Sequence, residues 1–124
     1  MKYVINFSGH KLHPIALKQL AEKLKDDVQV EDIKISLSRR IPLFSQIVTM
    51  MKEIKKTPLN SGAPIYVIIP GFAIATPLIL AYLHGVNGCF PMAVELIRDP
   101  VSKIFVVNDV HDLEYYRQNS RHYR

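Results

Sequence analysis

Two short segments that are almost continuously apolar place the strongest constraint on the fold of this chain. They are Tyr3 to Phe7 and Ile65 to Ile69. Apolar runs of this length are typical of strands buried on both faces, as in parallel sheets covered by helices. Each run is followed by a loop that contains glycine and then by a proline, Pro14 or Pro77, that suits the first turn of a helix. The two segments therefore predict the central strands of a mostly parallel sheet.

Strand-like and helix-like patterns alternate along the rest of the chain. Apolar positions recur at helical spacing after Pro14, whereas Val28 to Leu37 alternates between apolar and polar residues, as a half-exposed edge strand does. The predicted strands are Tyr3–Phe7, Val28–Leu37, Ile65–Ile69, Ala93–Arg98 and Lys103–Asn108, and the predicted helices are one from Pro14 and those over Leu43–Lys56, Thr76–His84 and Leu113–Gln118. Asp99 to Ser102 has the composition of a hairpin turn between the last two strands.

This alternation predicts a single Rossmann-like α/β domain over residues 1–124. We expect a three-layer sandwich, in which a five-stranded, mostly parallel sheet carries helices on both faces. Because the first and third strands are the most apolar, they belong at the centre of the sheet. The expected strand order is 2-1-3-4-5, with the fifth strand antiparallel at the far edge.

The second and third helices carry more specific predictions. The apolar stripe of the second helix, which should face the core, consists of Phe44, Ile47, Val48, Met51 and Ile54. Thr76 is expected to cap the third helix and Gly85 to end it. The third helix is apolar almost all round, which predicts a second buried face. That face is either a homodimer contact or a surface covered by the later strands.

Composition limits the classes of protein to which the chain can belong. A single cysteine, Cys89, excludes an intrachain disulfide and a cysteine-based zinc cluster. It is expected to be a small buried residue, with a catalytic thiol as the alternative. No apolar run reaches the length of about 20 residues that spans a bilayer, and no signal-peptide pattern is present, so we expect a soluble cytoplasmic protein. The formal net charge of +5 favours an anionic partner.

The predicted topology brings two loops to one crevice. In an open sheet of this order the chain turns in opposite directions after the first and third strands, and ligands bind beyond the carboxyl ends of those strands. The two loops are Ser8 to His13 and Pro70 to Thr76. The candidate ligand-binding residues in them are Ser8, Gly9, His10, Lys11, His13, Pro70, Gly71, Phe72, Ala73 and Thr76.

These residues suit a ligand that contains phosphate and a planar ring. Each loop leads into a helix N-terminus, where free N–H groups attract anions, and Lys11 adds a cation. Phe72 offers a surface on which a base can stack. The G-x-G-x-x-G fingerprint and the P-loop lysine motif are absent, which disfavours nicotinamide and nucleoside triphosphate enzymes. The structural alternatives are a turn cap for Ser8, a helix cap for His13, solvated positions for His10 and Lys11, and a core position for Phe72.

Three polar clusters elsewhere have structural explanations. His84, beside Gly85, lies at the end of the third helix, where an imidazole can pair with the last carbonyls. Capping of the last helix by Asp112 explains a group with the composition of a metal site, namely Asp109, His111 and Asp112. A surface helix with a frayed end explains the basic aromatic group Tyr115, Tyr116, Arg117 and Arg121. We therefore predict neither a metal nor a cofactor.

Two stretches of the chain resemble a known family. Asn6-Phe7-Ser8-Gly9-His10 is similar to the "NFS-H" opening of the Csx-fifteen family, small CRISPR-associated proteins that occur with type III systems. Leu80 to Pro91 resembles the "L-A-x-L-H-G-x-x-G-x-F-P" segment of the same family, and the order of elements matches onward to Leu113. The family loop is tighter, with proline soon after the histidine. Either His10 or His13 therefore stands where the family has its histidine.

The resemblance implies a role in antiviral defence. The family is related to Rossmann-like domains that sense cyclic oligoadenylates, which implies binding of cyclic tetra-adenylate, the second messenger of type III CRISPR systems. Members are thought to damp that signal, and sequestration is the expected mode. The alternative is a metal-independent ring nuclease with His10 or His13 as its acid–base group. A third interpretation is a non-catalytic regulatory α/β module unrelated to cyclic nucleotides.

The expected partners combine the ligand that the resemblance implies with the contact that the apolar third helix predicts. A homodimer through the third helix would present two copies of each loop to a symmetric ring, and further assembly could follow ligand binding. We expect neither a membrane nor a nucleic-acid duplex as a partner.

Overall fold

Five strands, four α-helices and a terminal 3-10 helix make up the computed structural model, which describes residues 1–124. The strands are β1 (Lys2–Asn6), β2 (Val28–Asp32), β3 (Ile65–Ile68), β4 (Met92–Arg98) and β5 (Phe105–Asp112). The helices are α1 (Pro14–Leu24), α2 (Leu43–Met51), α3 (Ala75–Asn87) and α4 (Leu113–Ser120), followed by the 3-10 helix Arg121–Tyr123. None of these helices has both the length and the apolar character that crossing a membrane requires.

The strands form one sheet in the order β2-β1-β3-β4-β5. β1 is parallel to β2 and to β3, and β3 is parallel to β4, whereas β5 runs antiparallel to β4. This arrangement confirms the predicted Rossmann-like α/β class and strand order. β1 and β3 take the central positions because they are the most buried strands: Val4 and Ile5 of β1 and all four residues of β3 are buried.

The sheet separates two apolar cores, so helices lie on both faces as predicted. On one face, α2 and α3 pack against the sheet around Ile5, Phe7, Ile47, Val67, Ile79 and Leu83. On the other face, α1 encloses Val4, Leu12, Leu20, Tyr66, Ile68 and Val94. Alternate residues of β1 and β3 thus point into opposite cores, which is why both strands are apolar at nearly every position.

The second strand is shorter than predicted. β2 ends at Asp32 and not at Leu37, because its neighbour β1 ends at Asn6 and offers no further backbone for pairing. The N–H of Ile33 donates to the Asn6 carbonyl at 3.0 Å. The apolar residues of the predicted strand, Ile33, Ile35 and Leu37, nevertheless contact the core. The alternating pattern therefore indicated burial correctly but not strand pairing.

The second helix is also shorter than predicted, and its stripe is only partly right. α2 ends at Met51 and not at Lys56. Val48 is half-buried and belongs to neither core, whereas Met50, which is not in the predicted stripe, is buried in the core. Ile47 and Met51 are buried, but Phe44 is 79% exposed. Phe44 lies in the first turn of α2, where its side chain lines a surface groove between α2 and α3 and does not reach the core. This apolar groove is lined by Leu43, Phe44, Ile47, Ile74, Leu78, Ala81 and Tyr82.

Neither predicted end of the third helix is right. α3 begins at Ala75 without a side-chain cap, so Thr76 lies inside its first turn. The helix continues through Gly85 and ends at Asn87, followed by the cap residue Gly88, which has a left-handed φ of 78°. Glycine adopts this conformation at little cost, which explains why the helix ends there.

Cys89 follows this stop and is exposed, so the prediction of a buried cysteine is wrong. The left-handed turn at Gly88 places the cysteine in the connection between α3 and β4, where neither core encloses it.

The last two strands form the predicted hairpin with a longer turn. Asp99 accepts hydrogen bonds from the N–H and the Oγ–H of Ser102, both at 2.7 Å. Lys103 has a left-handed φ of 65° and therefore belongs to the turn and not to the strand. As a result, β5 begins at Phe105 and extends to Asp112, whereas the predicted strand began at Lys103 and ended at Asn108.

Candidate functional site

The loops after β1 and β3 lie side by side at the carboxyl edge of the sheet, as the topology predicts. The N–H of Phe7 donates to the carbonyl of Ile68 at 3.0 Å, which joins the start of the first loop to the end of β3. The two loops together form a shared wall that separates two clefts. This shared wall consists of Ser8, His10, Lys11, Pro70 and Gly71, all of them predicted site residues.

Asn6 holds the first loop in place. Its side chain is 2% exposed, and its Nδ2 donates to the His10 carbonyl at 2.7 Å and to Asp32 Oδ1 at 2.9 Å. Its Oδ1 accepts from the N–H and the Oγ–H of Ser8, at 3.0 and 2.7 Å. Ser8 is thus a turn cap in this structure. Sequence reasoning missed the role of Asn6, although an amide at the last position of a buried strand was a usable signal.

The outer side of the same loop is open to solvent. Gly9 has a left-handed φ of 82°, which favours glycine at this turn. His10 and Lys11 are exposed, and neither side chain has a hydrogen-bond or ion-pair partner within the protein. Because the backbone of His10 is fixed by Asn6, the loop presents an ammonium group and an imidazole from a defined position.

The larger cleft lies between the first loop, the segment after β2 and the loop after β3, and its volume is about 940 Å³. Its fixed cations are Lys11, Lys34 and Arg39, and its one carboxylate is Asp32. That carboxylate accepts a hydrogen bond from Asn6. We call this the cationic cleft, because its excess of positive charge attracts anions.

Arg39 and Phe72 form one side of the cationic cleft. The guanidinium carbon of Arg39 lies 4.8 Å from the centre of the Phe72 ring, a cation–π distance. Phe72 also packs against the α2–α3 core, so it belongs both to the core and to the cleft. Sequence reasoning did not assign Lys34 or Arg39 to the site. They reach it because the chain leaves the sheet after Asp32 and lines the cleft at the carboxyl edge.

The second cleft lies on the other side of the shared wall and has a volume of about 650 Å³. β4 pairs with β3 only as far as Val94, so the rest of the β4–β5 hairpin extends beyond β3 and forms the far side. The apolar lining includes Leu12, Ile68, Ile69, Leu96, Ile104 and Phe105. The polar lining outside the shared wall consists of His13, Glu95 and His111. We call this the hairpin cleft.

His13 lines the hairpin cleft and caps α1. Its Nδ1 accepts a hydrogen bond from the N–H of Ile15 at 3.1 Å, and Pro14 takes the first helical position. This bond requires an unprotonated Nδ1, so the neutral ring carries its proton on Nε2. The helix-cap interpretation is confirmed. Nδ1 is thus occupied by the cap, and Nε2 is the ring nitrogen left to contact a ligand in the hairpin cleft.

Ala73 and Thr76 line neither cleft. The N–H of Ala75 donates to the carbonyl of Phe72 at 3.0 Å, and this turn leads the chain directly into α3. Thr76 is half-buried in the first turn of that helix. The second loop therefore contributes only residues 70–72 to the clefts.

His111 pairs with a carboxylate across the hairpin. Its Nε2 lies 2.9 Å from Oε1 of Glu95, and this hydrogen bond lowers the pKa of Glu95 below its ordinary range. Asp112 caps α4 as predicted, and Asp109 lies 3.4 Å from the ammonium group of Lys23. No three His, Cys, Asp or Glu side chains of the structure are grouped so as to hold a metal ion.

His84 lies near the C-terminal end of α3, at the opposite end of that helix from the clefts. Its ring packs against Phe90, with ring centres 4.3 Å apart. The predicted hydrogen bond from the imidazole to the last carbonyls of the helix is not formed. The backbone caps this end of the helix instead, since the N–H of Gly88 donates to the His84 carbonyl at 2.8 Å.

We expect His84→Ala to lower the free energy of unfolding by about 1 kcal/mol, because the substitution removes this ring contact. Affinity for any ligand of the clefts should be unchanged, since His84 lines neither of them. Thermal unfolding and ligand titration check the two expectations. His122→Ala, in the exposed tail, is the control and should change neither. Weaker binding by a normally stable His84 variant would contradict this placement.

Comparison of the chain with protein-family models, with curated proteins and with solved structures finds no match. The resemblance to the Csx-fifteen family thus remains a prediction from the two sequence stretches that carry it.

Proposed function

We propose that this chain binds a nucleotide through its phosphates in the cationic cleft. The observation that carries the proposal is the charge of that cleft, where Lys11, Lys34 and Arg39 surround a ligand-sized volume. The only carboxylate there, Asp32, already accepts a hydrogen bond from Asn6. Ammonium and guanidinium groups bind phosphate oxygens by charge-assisted hydrogen bonds, which are among the strongest that proteins form.

Phe72 offers a surface for the base of a nucleotide, beside the cations that would bind its phosphates. Its ring is half-buried, and the guanidinium of Arg39 lies over it. Aromatic rings and guanidinium planes are both surfaces on which nucleobases stack. A base that stacks on this side of the cleft would leave its phosphates within the volume that the three cations line.

The proposed ligand is cyclic tetra-adenylate, and the proposed role is to sequester it and so damp type III CRISPR signalling. The resemblance to the Csx-fifteen family supports this choice, because its first motif, Asn6 to His10, is the loop that lines the cationic cleft. Two contacts favour sequestration of the ligand over its cleavage. The hydroxyl of Ser8 is engaged in the turn, and Nδ1 of His13 caps a helix.

A homodimer is part of the proposal, because a ring of four nucleotides suits two copies of one cleft related by two-fold symmetry. The apolar groove between α2 and α3 supports an interface, since Phe44 is 79% and Ile74 is 43% exposed. Exposed apolar side chains clustered in this way are typical of protein interfaces. Leu78 and Tyr82 of α3 line the same groove, so the proposed interface would include the third helix.

Ring cleavage is the competing function, and His10 is the observation that favours it. Its imidazole is exposed, lines both clefts and has no partner in the protein, so it is free to exchange a proton with a bound ligand.

Calorimetric titration with cyclic tetra-adenylate in the presence of a chelator is expected to show saturable binding, and the ring should be recovered intact by chromatography. Linear tetra-adenylate is the control ligand and should bind more weakly, because its free chain loses more conformational entropy on binding. Linear products formed from excess ring would identify a ring nuclease and not a sequestering protein. The absence of any binding of the ring would contradict both functions.

A further inference from the structure

The hairpin cleft contains a carboxylate–imidazole pair that the proposed phosphate site does not use. Glu95 on β4 and His111 on β5 both line this cleft, and Nε2 of His111 lies 2.9 Å from Oε1 of Glu95. Their side chains are 42% and 33% exposed, so the pair is accessible. One carboxylate oxygen faces the imidazole, and the side chain of Asn108 also acts as a hydrogen-bond donor to this carboxylate. Because a carboxylate has about four lone-pair sites, it can still accept from a donor on a ligand.

The walls around this pair are suited to a planar apolar group. Ile69 and Phe105 remain 48% and 51% exposed, although both line the cleft. Ile104 and Leu96 complete the apolar lining on the hairpin side. A concave volume of about 650 Å³ with apolar walls and a few polar groups is typical of a site for a small organic ligand.

The shared wall connects this cleft to the cations. Lys11 and His10 line both clefts, so a group bound in the hairpin cleft lies next to an ammonium group. A ligand that places an anionic group at Lys11 can therefore place its ring on the hairpin side of the wall. Glu95 then disfavours a second anion on that side, because like charges repel.

We propose that the hairpin cleft binds the ring of an amino-bearing heteroaromatic base, such as that of an adenine nucleotide, with Glu95 as the acceptor for the exocyclic amino group. Carboxylates accept hydrogen bonds from base amino groups in this way. His111 is a positioning residue, which donates to Glu95 and holds the carboxylate in place. The inference rests on the proposed function only in taking the ligand to be a nucleotide. It gives that nucleotide a base subsite in the hairpin cleft, in addition to the one at Phe72.

The test uses the full chain, isotopically labelled, and follows its amide resonances during titration with adenosine monophosphate at millimolar concentration. We expect adenosine monophosphate to shift the amides of Ile69, Ile104 and Phe105. Ribose phosphate, which lacks the base, should shift amides of the shared wall and the cationic cleft but not those of Ile69, Ile104 and Phe105. Inosine monophosphate carries a carbonyl in place of the amino group and should bind about tenfold more weakly, since the carbonyl faces the Glu95 carboxylate.

Glu95→Gln should remove this preference for adenine over inosine, because an amide both donates and accepts. Glu22→Gln is the matched control, since Glu22 is exposed on α1 and lines neither cleft, and it should keep the preference. Shifts confined to Phe72 and the cationic cleft would overturn this inference and leave the proposed function standing. Equal binding of the two nucleotides by the unmodified protein, or no shift with any of the probes, would also overturn it. Binding of cyclic tetra-adenylate is measured separately, so its failure is distinguishable.

Discussion

Replacing Glu31 by alanine is expected to lower the free energy of unfolding by about 3 kcal/mol, because four donors, two of them buried, lose their acceptor together. Glu31 is 7% exposed. Its Oε2 accepts from the N–H of Lys55 at 2.7 Å, and its Oε1 accepts from the N–H and the Oγ–H of Thr57, both at 2.9 Å. The N–H of Lys56 donates to both oxygens at 3.1 Å. This carboxylate therefore fastens the segment after α2 to the edge strand β2.

Thermal unfolding measures this loss, and the melting temperature should fall by roughly 10 °C. Glu53→Ala is the matched control, because Glu53 is exposed in the same segment and its side chain makes no hydrogen bond or ion pair. The control should change the free energy of unfolding by less than about 0.5 kcal/mol. If Glu31→Ala had the same melting temperature as Glu53→Ala, the N–H groups of residues 55–57 would have found other hydrogen-bond acceptors, and the prediction would be wrong.

The same carboxylate predicts an acid dependence of stability. Burial alone would raise the pKa of Glu31, but the hydrogen bonds from Lys55, Lys56 and Thr57 outweigh burial and lower it below its ordinary value of 4.5. A lowered pKa in the folded state contributes stability above the unfolded value, and that contribution is lost as the pH falls through the folded value. The stability difference between the unmodified protein and Glu31→Ala should therefore shrink below about pH 4.5.

Replacing Lys11 by alanine is expected to weaken the binding of cyclic tetra-adenylate about 10- to 100-fold, which corresponds to about 1–3 kcal/mol for a charge-assisted contact. Lys11 is exposed and makes no hydrogen bond or ion pair in the protein, so the fold should tolerate the change. Calorimetric titration at two salt concentrations measures the effect. The loss should be smaller at high salt, because salt screens the contact.

Lys18→Ala is the matched control for Lys11, since Lys18 is an exposed lysine of α1 that lines neither cleft. It carries the same charge, so any effect of net charge alone is common to both variants. Equal affinity of the two variants for the ring would remove the cationic cleft as the phosphate site. A normal melting temperature for both is the check that binding, and not folding, has changed.

Much of the fold could be predicted because burial leaves a clear local pattern. The two apolar runs, Tyr3 to Phe7 and Ile65 to Ile69, indicated the central strands, and the order of the sheet followed from them. The ends of the elements were predicted less well. The end of β2 depends on where β1 ends, and the end of α3 depends on whether Gly85 or Gly88 adopts a left-handed conformation. The residues around each end do not reveal either of these.

The candidate site divides in the same way. The shared wall was predicted, since topology alone brings the loops after the first and third strands together. Lys34 and Arg39 were not assigned to it, because their place depends on the path of an irregular segment. The pairing of Glu95 with His111 was missed because it depends on the register of the hairpin, and a register shift after Glu95 alters that pairing.

The sequence by itself determined the class of fold, the order of the strands and the loops that meet at the carboxyl edge. These follow from hydrophobic periodicity and chain connectivity, which are local properties. Only the tertiary structure decided that the edge carries two clefts of different character, one cationic and one apolar, on either side of a single wall. The physical reason is that charge and shape at a cleft are sums over residues distant in sequence. Asn6, Arg39 and His111 lie near one another only because the fold brings them to one edge of the sheet.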